Sequence, residues 1–248
     1  MNINEYQHKP AVEVMHKSDS YVDQGLRQYM IKVFNYMGAG LLVTALTAYL
    51  FATSPLLRSL LYNPVTHGMT LFGWLVMFAP LIMIFAFNYV AFNKSLGTTQ
   101  LMFWLFSALM GASLSWVCLA YTGENITRVF LITAATFGAL SIYGYTTNRD
   151  LTKLGSFMFM GLIGLILASI VNLFMHSSAL YWALSYIGVA IFVGLTAYDV
   201  QRIKQMYYYG DGSGDLGVRF AISGALSLYL DFINLFLYLL RIMGGDRR

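Results

Sequence analysis

Residues Gly224-Ala-Leu-Ser-Leu-Tyr-Leu-Asp-Phe-Ile-Asn-Leu-Phe-Leu-Tyr-Leu-Leu240 decide the fold. The run is apolar enough to cross a bilayer, yet Asp231 places a carboxylate in its middle. An ionisable group at that depth costs about 2.5–3.5 kcal/mol on insertion scales, which marks it as a candidate functional group with a partner to be found. Ser227, Asp231, Asn234 and Tyr238 follow at spacings of four, three and four, which puts them on one helical face. Ser223 and Gly224 extend that face by a turn. A polar stripe turned to lipid is unfavourable, so this helix is expected at the centre of a bundle, looking onto other helices or a wet cavity.

The rest of the chain fits that setting. Of 248 residues, 58% are hydrophobic and 10% charged, against about 25% charged in a soluble domain. Mean hydropathy is +0.63. A helix needs about 20 apolar residues to cross the hydrocarbon core. Seven stretches qualify: Val33–Thr53, Leu71–Phe92, Leu101–Tyr121, Ile126–Tyr145, Leu154–Met175, Ala179–Ile203 and Phe220–Ile242. They are too long, and lack the alternation, for a membrane barrel. The expected class is an all-α membrane protein with seven transmembrane helices, the last central within a ring of six.

Three regions follow. Residues 1–24 form a polar tail expected to be disordered, 25–243 the membrane domain, and 244–248 a short basic tail. Val22, Leu26, Tyr29, Met30 and Val33 are spaced for an amphipathic lead-in helix on the membrane surface. The first thirty residues mix both signs of charge and lack the apolar core of a cleaved signal peptide. A single cysteine, Cys118, excludes an internal disulfide framework and is expected to be a small buried packing residue. The glycines within the spans, including Gly111, Gly138, Gly155, Gly164 and Gly188, are expected at close helix contacts.

Ten of the 15 basic residues fall on the side of the amino terminus and five on the other. The amino terminus is therefore expected to be cytoplasmic. The net charge of +4 serves orientation and gives no reason to expect a nucleic-acid partner. His8, His16, His67 and His176 are too scattered for a metal site, and no bound cofactor is expected.

A partner for Asp231 exists in the preceding span. Measured from the Tyr207–Tyr209 cluster, Asp199 lies roughly 15 Å deep at 1.5 Å per residue, and Asp231 roughly 18 Å beyond Arg219. The two acids thus match in depth, while their rotation about the helix axes stays open. Two carboxylates in one poorly solvated site cannot both ionise cheaply, so a meeting pair is expected to share a proton. Losing that proton leaves two repelling anions that separate or admit a hard cation such as Ca²⁺. The competing reading pairs Asp199 with Arg202 along its own helix and lets Asp231 lock helix packing alone.

The stretch from Ala225 to Phe236 with Leu239-Leu-Arg241, the segment Ala197-Tyr-Asp-Val-Gln-Arg-Ile-Lys204, and Ser141-Ile-Tyr-Gly-Tyr-Thr-Thr-Asn-Arg-Asp-Leu151 closely resemble the Bax-inhibitor (transmembrane Bax-inhibitor-motif) family, especially its bacterial members. The resemblance covers about residues 25–243. It implies a last helix ringed by six others, a location in the bacterial inner membrane, and a pH-sensitive calcium leak gated by a hydrogen-bonded pair at Asp199 and Asp231. The partners it implies are membrane lipid, Ca²⁺, protons and a membrane-bound protease. Ser227, Asn234, Tyr238, Arg202 and Asn88 would line or flank the path. A bacterial relative carries an arginine latch near the cytoplasmic end of its second helix. Here that region reads Phe85-Ala-Phe-Asn-Tyr-Val-Ala-Phe-Asn-Lys94, with Asn88 as the nearest polar residue.

Two other functions compete. A non-conducting interaction protein that modulates a membrane protease or a stress or cell-death response would show the same glycine-lined helices. An intramembrane aspartyl protease also carries an aspartate in each of two late helices. It would need a glycine-containing motif before the second acid, where Leu228-Tyr-Leu230 stands, and a late proline motif, whereas no proline follows Pro80. An enzyme is therefore not expected.

Overall fold

The computed structural model describes residues 11–63, 68–209 and 214–244, and these are helical with no strand. Nine helices run in chain order over them: α1 (Ala11–Thr53), α2 (Pro55–Leu61), α3 (Leu71–Asn93), α4 (Leu96–Ser113), α5 (Ser115–Ala120), α6 (Gly123–Thr146), α7 (Thr152–Met175), α8 (Ser178–Tyr209) and α9 (Gly214–Met243). Six segments are long and apolar enough to cross a membrane: one in α1 from Gln24, α4 with α5, α6, α7, α8 and α9. In α3 the apolar stretch Leu71–Phe87 is shorter.

The passes alternate in direction. One end of the bundle holds the start of α1 and the α6–α7 and α8–α9 turns, where Tyr29 of α1 meets Tyr207 of α8 and Lys204 Nζ donates to the carbonyl of Tyr145. The other end holds the close of α9, where Arg128 of α6 donates to the Met243 carbonyl.

Local chemistry sets the helix limits. Thr70, Ser95 and Thr122 precede α3, α4 and α6 and accept from Gly73, Thr98 and Asn125 N–H groups, which are free at a helix start. Pro55 opens α2, where its missing N–H is not needed. The third sequence span is broken at Leu114 into α4 and α5. There the Ser113 hydroxyl bonds back to the Met110 carbonyl, which competes with the helix ladder.

The sequence places an unstructured tail up to residue 24 and a surface lead-in helix after it. The structure differs on both points. Helix α1 already runs from Ala11, through a segment with no glycine or proline to stop it. Leu26, Tyr29, Met30 and Val33 are buried in the main core instead of lying on a membrane surface, because α9 and α8 cover them. Residues 1–10 and 245–248 lie outside the described residues. Cys118 is half-buried and lines a groove instead of filling the core.

Helix α9 occupies the centre. Of its most apolar 18-residue window 67% is buried, against 6% to 39% for the other spans. It packs on α1, α3, α4, α6 and α8, and Leu235 joins a second core with Leu165 of α7 and Phe192 of α8. The surrounding helices form two groups. On one side α1, α4 and α3 pack in sequence; on the other α6, α8 and α7 do. Among the described residues, neither α3 with α7 nor α1 with α6 forms a closely packed pair. The ring therefore has two seams, each backed by α9.

Candidate functional site

The first seam holds the acids. Asp199 of α8 and Asp231 of α9 come within hydrogen-bonding reach of each other. Helices α8 and α9 pack along their length, so the depth match anticipated from sequence is joined by a matching rotation. Asp231 is 5% exposed and the side chain of Asp199 15%. Arg202 Nη1 stands 3.8 Å from Asp199 Oδ1, on the same helix face one turn on. Asp199 therefore has Asp231 on one side and Arg202 on the other. Asp231 Oδ2 is buried and has no donor among the described residues.

Close approach of backbones holds α8 in place. A Cβ on Gly144 of α6 would collide with the Ala197 carbonyl, and one on Gly155 of α7 would sit 2.5 Å from the ring of Tyr198. These glycines flank Asp199 on two sides and fix its helix against α6 and α7. Two residues beyond Asp199, Gln201 fastens the α6–α7 turn: its amide oxygen accepts from the Leu151 N–H at 2.9 Å and its amide nitrogen donates to the Arg149 carbonyl at 2.8 Å. In that turn the hydroxyl and N–H of Thr152 donate to Asp150 and hold its carboxyl below the usual carboxylate range.

Two spaces border the pair. A cavity of about 860 Å³ lies between α3 and α7 and is lined by Asp199, Arg202, Ser227, Asp231, Asn234 and Tyr238, with Leu81 and Ile84 on the α3 side. The four polar residues of the predicted stripe from Ser227 to Tyr238 therefore face one cavity, while Ser223 and Gly224 line the smaller pocket. A smaller pocket of about 150 Å³ is lined by Asp199, Arg202, Met206, Ser223 and Ser227. It lies toward the α8–α9 turn. Asp199, Arg202 and Ser227 border both spaces.

The stripe residues have distinct surroundings. Asn234 Nδ2 donates back to the Leu230 carbonyl at 2.8 Å, leaving its amide oxygen for the cavity. The Tyr238 ring stacks on Phe192 at 5.9 Å, lies under Arg241 at 5.3 Å, and presses against Gly188. Asn88, expected near the site, has its side chain outside the described residues. Asn93 bonds to the carbonyl of Tyr89 on its own helix, and Lys94 is exposed at the end of α3. The cation beside the acids thus comes from α8 as Arg202. Ser156 and Ser169 of α7 also line the large cavity. Their thirteen-residue separation gave no short-range pattern from which the sequence could flag them.

On the opposite face of α9, Tyr229 is buried against α1. The Thr44 hydroxyl donates to carbonyls of Gly40 and Ser107, so the Tyr229 hydroxyl, 2.6 Å away, is the donor to Thr44. This bond ties α9 to α1 and, through Ser107, to α4.

Residues 26–248 match the family model described as "Inhibitor of apoptosis-promoting Bax1". A Rickettsia prowazekii protein described as uncharacterized protein RP147 is 49% identical over 228 residues, which is 91% of this chain and 92% of the relative. Escherichia coli K12 inner membrane protein YbhL is 46% identical over 234 residues, 93% of this chain and 98% of the relative. A Caulobacter vibrioides protein is 44% identical over 236 residues. With a central acid-bearing helix, a second acid facing it, and matches over nearly the whole length, the chain belongs to the Bax inhibitor family.

Proposed function

We propose that this protein is a pH-sensitive leak pathway for Ca²⁺ across the membrane, with Asp199 and Asp231 as its gate. The observation that carries the reading is the position of the acid pair, buried and in mutual reach between the 150 Å³ pocket and the 860 Å³ cavity. With the proton on Asp231, that carboxyl donates to Asp199 and keeps the pair closed, which gives the buried Asp231 carboxyl, whose Oδ2 has no other partner among the described residues, a hydrogen-bond partner. Once the proton leaves, two anions face each other in a poorly solvated site. Their repulsion favours separation of α8 from α9, and a hard divalent cation offsets the charge. Arg202 beside Asp199 lowers the cost of ionising that acid first. Ser227, the Asn234 amide oxygen and Tyr238 supply oxygens along the cavity that can replace part of a cation's hydration.

In this reading all seven apolar helices cross the bilayer, α3 included, and the α1 end is cytoplasmic, a direction that the excess of basic residues at that end supports. The inner membrane is the setting suggested by the relative YbhL. The pair needs no bound cofactor and performs no bond chemistry, so the reading is non-enzymatic.

The test is Ca²⁺ flux into proteoliposomes of the purified full chain, measured over a series of buffers from acidic to alkaline pH. The reading expects flux above that of empty liposomes, increasing as pH rises. No flux at any pH, with a membrane protease recovered as a stable partner, supports the interaction reading instead. Cleavage of an added transmembrane peptide that either acid is needed for supports the protease.

A further inference from the structure

The second seam, between α1 and α6, lies on the face of α9 opposite the acids, and nothing in the leak reading uses it. Its inner wall is Phe232, which borders two spaces placed end to end. The space toward the α1 amino-terminal end has about 650 Å³ and is lined by Arg27, Phe34, Gly38, Phe137, Gly138 and Tyr145 among others. The space toward the other end has about 700 Å³ and runs past Ala45, Ala48 and Phe130 to Arg58. An apolar channel thus crosses the bundle with an arginine at each mouth.

We propose that this groove is a phospholipid-binding site, holding one lipid from each leaflet with the tails against Phe232 and the anionic headgroups at Arg27 and Arg58. Three observations identify the occupant. The groove is open to the side, because α1 and α6 do not form a packed pair. Its length fits a bilayer: the 27 residues of α1 from Arg27 to Thr53, next to Arg58, rise roughly 39 Å, close to the 40–45 Å from headgroup to headgroup. Its charge is complementary to lipid at both ends. Arg27 and Arg58 are exposed, and among the described residues neither forms an ion pair, although Glu124 stands at the same end as Arg58.

The glycines of the groove support this. Gly38 on α1 and Gly138 on α6 line it, and a Cβ built on either meets nothing within 4 Å. Unlike Gly144 or Gly155, they do not bring two helices together. They leave open space where helix contact would otherwise be made.

Native mass spectrometry of the detergent-purified full chain, incubated with phosphatidylglycerol, phosphatidylcholine or glycerol phosphate, tests the site. Phosphatidylglycerol should be retained at each end, glycerol phosphate should not, and phosphatidylcholine should be held more weakly. Arg27→Gln and Arg58→Gln should each weaken phosphatidylglycerol retention about fivefold, the worth of one cation at a membrane surface. Gly38→Leu and Gly138→Leu should displace the lipid at the α1 amino-terminal end only. Both place a side chain in open space and remove a helix-weakening glycine, so folding should persist; if either misfolds, the exposed arginine variants decide. Equal retention of phosphatidylglycerol by the parent and both arginine variants overturns the proposal, as does retention of glycerol phosphate in place of lipid.

Discussion

Asp199 on α8 and Asp231 on α9 meet within hydrogen-bonding reach at the centre of the bundle, with Arg202 3.8 Å from the outer acid. A buried carboxyl whose partner is another carboxyl is stable only when a proton lies between them. Replacing Asp231 with Asn supplies an N–H donor to Asp199 in the same shape. Asp231→Asn should therefore unfold in detergent within about 1 kcal/mol of the parent. Asp231→Leu leaves Asp199 facing an apolar group and should be less stable than Asp231→Asn. Thermal unfolding of the three proteins checks the order.

The tie between Tyr229 and Thr44 can be broken without opening a cavity. Tyr229→Phe keeps the ring stacked edge-on against Phe106 and removes the hydroxyl alone. Thr44 still donates to its carbonyls, so the loss should be modest, about 0.6–1.5 kcal/mol. Denaturant unfolding followed by tryptophan fluorescence measures it; an unchanged midpoint would mean that the bond contributes nothing to holding α9 against α1.

Gln201 should matter more than an ordinary polar residue near a membrane surface. Gln201→Leu leaves the buried Leu151 N–H without an acceptor and frees the Arg149 carbonyl. An orphaned buried donor costs about 1–3 kcal/mol. The effect should be local, appearing as faster hydrogen exchange over residues 147–155 with little change in α9. Uniform protection across the chain would contradict the assignment.

The same turn should also respond to acid. Thr152 holds the Asp150 carboxyl below its ordinary range, so the folded turn favours the ionised form. That contribution is present above the ordinary carboxylate value of about 3.9 and is lost as pH falls through the lower folded value. Exchange at Thr152 should accelerate only below about pH 4, and Thr152→Ala, which removes the hydroxyl but keeps the N–H donor, should make the step smaller.

Much of this site was legible in the chain. The spacing from Ser227 to Tyr238 fixed a polar face because a helix repeats every 3.6 residues, and all four residues share one cavity. Depth followed from residue counting between interface markers. Rotation did not: whether Asp199 faces α9 depends on Gly144 and Gly155 letting α8 approach its neighbours, and those contacts are long-range. The glycines show the same limit. Gly111, Gly155 and Gly188 sit at close contacts, as expected, whereas Gly138 and Gly164 face open space. A single sequence cannot separate a glycine that admits a helix from one that leaves room. The amphipathic face at the lead-in of α1 suits a membrane surface and a bundle core equally well. Only the cover from α8 and α9 distinguishes them.

Control of the path by the shared proton is tested most directly by the pH profile of Ca²⁺ flux in proteoliposomes for the parent beside Asp199→Asn and Asp231→Asn. Parent flux should rise as pH increases and each substitution should flatten the profile, because neither variant can form a pair of repelling anions. A parent-like pH response in both variants would contradict it.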